Sequence, residues 1–167
     1  MITTTALIAV VPEAEPVVGV WRERYDPSAA EGVPAHVTVL YPFLPFELVD
    51  TSALAELFAA WASFDVEFRG FGHFPGVLYL APEPAEPFRE LTTAVAERWP
   101  EAPPYGGAFP DVVPHLTVAD RISPEEQGVI GEAVAGGLPV RARVRAVELW
   151  VRDEAHWQPS NSFPLLL

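Results

Sequence analysis

The sequence predicts an α+β fold built from two similar lobes, each with one small mixed or antiparallel sheet. Three observations support this fold class. Stretches with strand and helix periodicity follow one another as strand-helix-strand-helix-strand twice, with one extra strand at the end. The second strand of each series carries a similar motif, VPAHVTV and VPHLTV. No linker separates the two repeats, approximately 1–71 and 76–167, so residues 1–167 are expected to form one bilobal domain with the sheets facing each other across a central cleft and the helices outside.

The first repeat contains three predicted strands and two predicted helices. Residues 4–11 are β-branched and apolar, which is typical of a buried strand. The remaining elements are a helix at 15–25, a strand at 36–41, a helix at 51–63 and a strand at 65–71. In the first of these helices we expect Val17, Val20, Trp21 and Arg24 to share one face.

The second repeat follows the same order of elements. We expect a strand at 76–80, a helix at 84–99, a loop at 100–113, a strand at 115–119, a helix from Ser123 to the Gly136–Gly137 pair, a strand at 140–151 and a last strand at 156–167. Arg141, Arg143 and Arg145 alternate along the long strand, and such a row is more often a solvated sheet face than a phosphate clamp.

The repeated motif places a histidine and a threonine on the same side of a strand. His36 and Thr38 are two residues apart, as are His115 and Thr117, and positions i and i+2 of a strand point to one face. If a pseudo-twofold axis relates the lobes, all four side chains converge on the cleft. Two imidazoles can act together as general base and general acid, and two hydroxyls can donate hydrogen bonds to phosphoryl oxygens. This pattern predicts displacement at phosphorus with neither a metal nor a covalent intermediate.

The pair of motifs is more specific than either motif alone. A single histidine in a strand is more often a structural residue than a catalytic one. Thr supplies only eight of the 167 residues, yet it follows two of the four histidines at i+2, at equivalent places in a repeat. We therefore favour the functional interpretation of the pair.

These residues resemble those of a known family. HVTVLYPF (36–43) and PHLTVA (114–119) are similar to the two motifs of the two-histidine phosphoesterase superfamily, the 2′-5′ RNA ligase-like proteins, and FPGVLYLAPEP (74–84) and the closing WVRDEAHW…FPLLL resemble its bacterial members. The resemblance implies a duplicated bilobal fold and metal-independent hydrolysis of 2′,3′-cyclic or related phosphodiesters of nucleotides or short RNA ends. It implies that His36 and His115 are catalytic, that Thr38 and Thr117 bind substrate, and that no cofactor is needed.

Three aromatic residues near the motifs are further candidates for substrate binding. Tyr41 and Phe43 follow the first motif, and Tyr105 lies in the loop before the second. Each could stack on a nucleobase, although core packing or loop anchoring explains each equally well. Tyr105 lies between Pro103–Pro104 and Gly106–Gly107, which favours a mobile lid.

Charge and composition limit the partners. A net charge of −13, with ten Arg and no Lys, repels polyphosphate and argues against duplex DNA or long RNA. The expected partner is a small phosphoester or a short RNA end.

The absence of Cys excludes disulfides, Cys–zinc sites and thiol catalysis. The N-terminal apolar run ends at Pro12 and is too short for a signal or membrane segment, so we expect a cytoplasmic protein with no membrane partner. We also expect a monomer.

Three alternative functions stay open at this point. The chain could join RNA ends through a 2′-5′ bond, although its acidity argues against this activity. It could be a non-catalytic module that binds nucleotides or RNA ends. It could also be a metallohydrolase, although the sequence lacks the clusters of metal ligands expected of one. Asp120 does not supply such a ligand, because it should lie on the opposite strand face from Thr117.

His73 and His156 are expected on the surface, and Trp150 and Trp157 should pack within the terminal hairpin.

Overall fold

The computed structural model describes residues 3–109 and 111–167 and confirms an α+β fold with two antiparallel four-stranded sheets. The elements in chain order are β1 (Thr4–Val10), α1 (Glu15–Tyr25), α2 (Pro27–Ala30), β2 (His36–Leu40), α3 (Thr51–Ala59), β3 (Phe64–Phe74), β4 (Val77–Glu83), α4 (Glu86–Arg98), β5 (Leu116–Ala119), α5 (Pro124–Ala135), β6 (Val140–Val144), β7 (Ala146–Asp153) and β8 (His156–Pro164). None of the helices in these two ranges is both long and apolar enough to cross a membrane.

The two sheets have corresponding strand orders. The first sheet is ordered β2-β1-β7-β8 and the second β5-β4-β3-β6. The two strands of the H-x-T motifs, β2 and β5, are therefore edge strands at equivalent positions, and each pairs with the first strand of its own repeat. The two edge strands also contact each other. This arrangement brings the motifs together where the sheets meet.

One apolar core extends through both sheets and fixes the orientation of the motifs. Val37 and Val39 of β2 are completely buried in it, as are Leu116 and Val118 of β5. The histidine and threonine of each motif alternate with these residues and are only partly buried. Strand alternation therefore turns all four polar side chains away from the core, as the sequence predicted.

The predicted strand at 140–151 is wrong, because two strands of different sheets occupy this segment. Residues 140–144 form β6, which pairs with β3, and residues 146–153 form β7, which pairs with β1. Arg145 is the residue between them. The buried positions are even-numbered up to Val144 and odd-numbered at Val147 and Leu149. This change in the apolar alternation reflects a chain that leaves one sheet and enters the other.

The predicted face of α1 is also wrong. Val20 is 67% exposed and Arg24 is exposed, whereas Val18 and Arg22 are buried. Arg22 occupies an inward position because its guanidinium has carboxylate partners, described below, that offset the loss of hydration. The short helix α2, which follows directly after Asp26, was not predicted from the sequence.

Candidate functional site

The two motif histidines make equivalent hydrogen bonds to the backbone, each to the carbonyl two residues earlier. Nδ1 of His36 lies 2.8 Å from the carbonyl oxygen of Pro34, and Nδ1 of His115 lies 2.7 Å from that of Val113. A carbonyl oxygen can only accept, so Nδ1 carries a proton in both rings. In the neutral imidazole Nε2 is then unprotonated and can accept a proton. Each ring is thus held in the tautomer that a general base requires.

The surroundings of His36 favour its neutral form. The pKa of His36 is lowered to about 4, mainly by burial and to a smaller extent by the Arg22 guanidinium and the His115 ring. The Pro34 carbonyl and the Asp26 carboxylate act in the opposite direction. Because the charge of His115 influences His36, and because their two strands are in contact, the two imidazoles lie near each other.

The second histidine has a different environment. Burial lowers the pKa of His115, and the Val113 carbonyl and Asp26 oppose this shift. Its ring lies edge-to-face against Phe74, with centroids 5.1 Å apart, and 5.4 Å from the ring of Tyr79. An added Cβ at Gly72 would collide with the Tyr79 ring, so the absence of a side chain there allows Tyr79 to take this position.

A cavity of about 610 Å³ opens beside the first motif. Most of its wall comes from the first sheet, from α2 and from the segments that flank them. Its lining residues are Ala6, Ile8, Asp26, Pro27, Ser28, Glu31, Val33, His36, Thr38, Tyr41, Asp120, Arg121, Trp150, Arg152 and Trp157. The second lobe contributes Asp120 and Arg121, at the end of β5, whereas His115 and Thr117 do not line this cavity.

Two of the three predicted aromatic residues lie at the first motif. Tyr41 lines the cavity and packs edge-to-face on Trp157, with centroids 6.0 Å apart. The backbone N–H of Tyr105 donates to the carbonyl of Tyr41 over 2.7 Å. Burial raises the pKa of the Tyr105 phenol, and the nearby Thr38 hydroxyl partly offsets the shift. The loop is thus attached to the end of β2 at Tyr105, and its role as a mobile lid stays a prediction.

The interpretation of Phe43 as a substrate-binding residue is wrong. Its side chain is 6% exposed and packs edge-to-face against Trp99 at 5.5 Å between centroids. Phe43 belongs to the main core and does not line the cavity. Its apolar ring is more stable there than beside a polar cleft.

Sequence reasoning missed a buried polar network behind His36. Arg22 donates through Nε to Asp26 Oδ2 over 3.1 Å, and its Nη2 lies 3.1 Å from the same oxygen. The other oxygen, Asp26 Oδ1, accepts from the backbone N–H and the hydroxyl of Ser28, at 3.0 and 2.9 Å. At the other end of α1, Glu15 accepts from the N–H of Ala35, next to His36, over 2.6 Å. Helix α1 is therefore bonded through Glu15 to the residue before the first motif, and the charges of Arg22 and Asp26 near its other end act on His36.

The terminal hairpin of β7 and β8 also contributes to the cavity, which the sequence did not indicate. Trp150 and Trp157 line its wall as well as packing in the hairpin. Arg152 donates through Nε to Glu31 over 2.6 Å, and both side chains line the same cavity. In the sequence these two residues are 121 positions apart, so only the fold brings them together.

Other predictions outside the cavity can be compared directly. Arg141 and Arg143 lie on a solvated sheet face, as predicted, and there pair with Glu67 at 3.1 Å and with Asp65 at 2.9 Å. His73 and His156 are exposed, as predicted. Among the residues that the structure describes, no group of three His, Cys, Asp or Glu side chains is placed to hold a metal ion.

Comparisons with known proteins identify the family of this chain and several solved structures with a similar fold. The family model of the 2′-5′ RNA ligase superfamily matches residues 10–156. This chain belongs to that superfamily. Its fold is similar to E. coli LigT complexed with 3′-AMP, with a TM-score of 0.68, 14% identity and full coverage of both chains. It is also similar to TT0787 of Thermus thermophilus, with a TM-score of 0.63, 22% identity and 97% of each chain covered. A search of curated proteins finds no match.

Proposed function

We propose that this member of the 2′-5′ RNA ligase superfamily is a metal-independent phosphodiesterase that hydrolyses 2′,3′-cyclic or related phosphodiesters of nucleotides or short RNA ends. The observation that carries this proposal is the matched pair of imidazoles. His36 and His115 each donate through Nδ1 to a carbonyl two residues earlier, which leaves Nε2 of both rings available for proton transfer. Hydrolysis of a cyclic phosphate needs two proton transfers of this kind.

In the proposed reaction, one neutral imidazole takes a proton from water as the water oxygen attacks phosphorus. The bond from phosphorus to one ribose oxygen breaks, and the other imidazole, which is protonated, gives its proton to that oxygen. The product is a nucleoside phosphomonoester. Thr38 and Thr117 donate hydrogen bonds to the non-bridging oxygens, whose charge grows during the attack.

Both histidines have lowered pKa values in the free protein, so substrate must help to protonate one of them. The phosphodiester is an anion, and a negative charge near an imidazole raises its pKa. Binding therefore favours the state with one neutral and one charged ring. This requirement selects an anionic substrate over a neutral ester.

A small substrate is consistent with the charge of the chain and with its structural relatives. The net charge of −13 opposes the many phosphate contacts that long nucleic acid needs. E. coli LigT has been crystallised with 3′-AMP and with ATP, and the latter structure has a TM-score of 0.63 and 14% identity to this chain. A short RNA end or a mononucleotide fits both observations. We expect the protein to act as a cytoplasmic monomer formed by a single domain.

The test is a panel of substrates assayed with and without chelator. We expect turnover of nucleoside 2′,3′-cyclic phosphates and of short oligonucleotides that end in a cyclic phosphate, unchanged by chelator. The same assay with a 5′-hydroxyl RNA fragment added detects 2′-5′ joining, which is the reverse chemistry. Joining without hydrolysis would make the protein a ligase, and binding without turnover would make it a recognition module. Loss of activity in chelator, restored by a divalent ion, would contradict the mechanism.

A further inference from the structure

Helix α1 is bonded to the chain beside both motif strands. At its start, Glu15 accepts from the backbone N–H of Ala35, directly before the first motif, over 2.6 Å. At its end, the Tyr25 carbonyl accepts from the backbone N–H of Asp120, directly after β5, over 2.8 Å. The helix also packs against β5. Asp26, the residue that follows α1, therefore lies where the two motif strands meet.

Polar contacts hold the Asp26 carboxylate in one orientation. Oδ2 accepts from Nε of Arg22 over 3.1 Å and lies 3.1 Å from its Nη2, and Oδ1 accepts from the N–H and the hydroxyl of Ser28 over 3.0 and 2.9 Å. Arg22 is 2% exposed and Asp26 is 7% exposed. Apolar residues of similar volume are often at least as stable as a buried ion pair. A role at the neighbouring histidines explains why a charged pair occupies this position.

The charge of Asp26 acts on both imidazoles. Burial lowers the pKa of His36 and that of His115, and the Asp26 carboxylate acts against this shift in each ring. The Arg22 guanidinium lowers the pKa of His36 but is not among the groups that shift the pKa of His115. Asp26 and His36 also line the same cavity. The carboxylate is thus near both rings, and its cationic partner lies on the side of His36.

The other ionisable groups around the two histidines are not among those that shift the pKa of either ring. In the first repeat and the terminal hairpin these groups are Glu15, Glu31, Tyr41 and Arg152. In the rest of the second repeat they are Tyr79, Tyr105, Asp120 and Arg121. Within residues 3–109 and 111–167, Asp26 is therefore the one carboxylate that acts on both rings.

We infer that Asp26, held by Arg22 and Ser28, is a positioning residue for the histidine pair, and that its carboxylate stabilises the state in which one imidazole carries a proton. A negative charge near an imidazole favours the charged ring. The proposed reaction needs that state, so the inference rests on the proposed function. It adds a group of the protein that favours the proton before the substrate anion binds. Because the contacts to Arg22 and Ser28 fix the carboxylate, this effect is present in the free protein.

The first test is the pH dependence of kcat/KM, which should follow a bell because activity needs one neutral and one protonated ring. Asp26→Asn should move this bell about one pH unit lower, and Arg22→Gln should move it in the opposite direction. Asp26→Glu keeps the charge and should restore the wild-type position. Asp65→Asn and Arg143→Gln are the matched controls, because each removes one charge of an exposed ion pair elsewhere on the molecule. A bell that keeps its position in Asp26→Asn, or that shifts in the same direction in Asp26→Asn and Arg22→Gln, would overturn the inference.

A titration followed by NMR separates failure of this inference from failure of the proposed function. The Cε1–H resonance of His115 reports protonation of its ring without turnover, and His73→Gln and His156→Gln identify the resonances of the two exposed histidines. The variant is Arg22→Gln combined with Asp26→Asn, which leaves neither charge of the buried pair without its partner. The apparent pKa of His115 should be about one pH unit lower in it than in the wild type, whether or not a cyclic phosphate is hydrolysed. An unchanged value would reject the role of Asp26, even in an active enzyme. Thermal unfolding of each variant checks that the fold is kept.

Discussion

The two H-x-T strands have the same polar groups but different surroundings. Both histidines donate through Nδ1 to a carbonyl at position i−2. Behind the first lies the Arg22–Asp26 network, whereas the second is flanked by the rings of Phe74 and Tyr79. The repeated H-x-T motif therefore fixes the tautomer, and residues outside the motif set the electrostatic environment of each ring.

This difference teaches that a duplicated site need not be symmetric in its chemistry. A buried guanidinium near His36 disfavours a second positive charge, whereas no guanidinium is among the groups that shift the pKa of His115. The cavity is asymmetric as well, because the first motif lines it and the second does not. Variants with the same substitution in each motif can test whether the two motifs also differ in function.

The largest effect should come from removing either imidazole. Because each ring moves one proton in the proposed reaction, His36→Ala and His115→Ala should each lower kcat by ~10²–10⁴-fold. The double variant should be little worse than the poorer single one, since the two rings act as a unit. Steady-state kinetics measure this, with His73→Ala, an exposed histidine, as the matched control. Full activity in either single variant would mean that the histidines are not a functional pair.

Removing a threonine should have a smaller effect. Thr38→Ala and Thr117→Ala should lower kcat by ~10²–10³-fold, the usual effect of losing one donor to a developing negative charge. Thr38→Ser and Thr117→Ser should recover most of the activity because they keep the hydroxyl. Thr93→Ala, on the exposed face of α4, is the control. If the alanine variants keep wild-type kcat, the threonines do not contact the transition state.

The partly buried position of His36 should make the protein less stable in acid. In the unfolded chain its pKa is near 6.5, and in the folded protein it is about 4. The unfolded state therefore binds the proton first as the pH is lowered. The free energy of unfolding should fall by roughly 2–3 kcal/mol between pH 6.5 and pH 4. Urea unfolding at pH 7 and pH 4.5 should show a smaller loss in His36→Gln than in the wild type. An equal loss in the two proteins would show that His36 is not the titrating group, and His73→Gln should behave as wild type.

The pH dependence of the rate should report both histidines together. Activity needs one neutral and one protonated ring, so kcat/KM should follow a bell whose limbs belong to the pair. Because burial lowers both pKa values, its maximum should lie below pH 6.5. The bound phosphate anion should move the kcat profile about one pH unit higher. A rate that does not vary between pH 4 and pH 8 would exclude this acid–base pair.

The smallest effect should come from the Tyr105 hydroxyl. It lies near Thr38, and a neutral hydrogen bond contributes about 0.5–1.5 kcal/mol. Tyr105→Phe should therefore lower kcat/KM by only ~2–10-fold. Tyr25→Phe serves as the comparison, because Tyr25 is not among the residues that line the cavity. A larger loss, similar to that of Thr38→Ala, would give the phenol a direct role at the reacting group.

Much of the fold was predictable because its signals are local. Strand alternation in HVTV and HLTV placed each histidine and threonine opposite buried residues, and helical spacing in 51–63 indicated α3. Phe43 was assigned wrongly because a strand pattern ending at Pro42 does not say which way the next ring turns. The division at Arg145 did have a local signal, the shift of buried positions from even to odd.

The cavity wall beside His36 could not be predicted from the sequence, because it depends on distant pairs. Glu31 and Arg152 are 121 residues apart, and only the pairing of β7 with β1 brings them to one wall. The sequence analysis did not single out Arg22, because its inward position depends on Asp26, where the chain turns into α2. Such side chains become informative only when the sheet order is known.

The passage of the chain from β6 to β7 has a consequence for the order in which the lobes can form. Strand β3, from the first repeat, lies inside the second sheet, and β7 and β8, from the end of the chain, complete the first sheet. During synthesis, β1 and β2 leave the ribosome early but lack the neighbour that β1 needs on its other edge. The second sheet can complete before the first, although the chain begins with the first. The cavity at His36 is lined partly by Trp150, Arg152 and Trp157 of β7 and β8. It is therefore among the last features to form on a nascent chain.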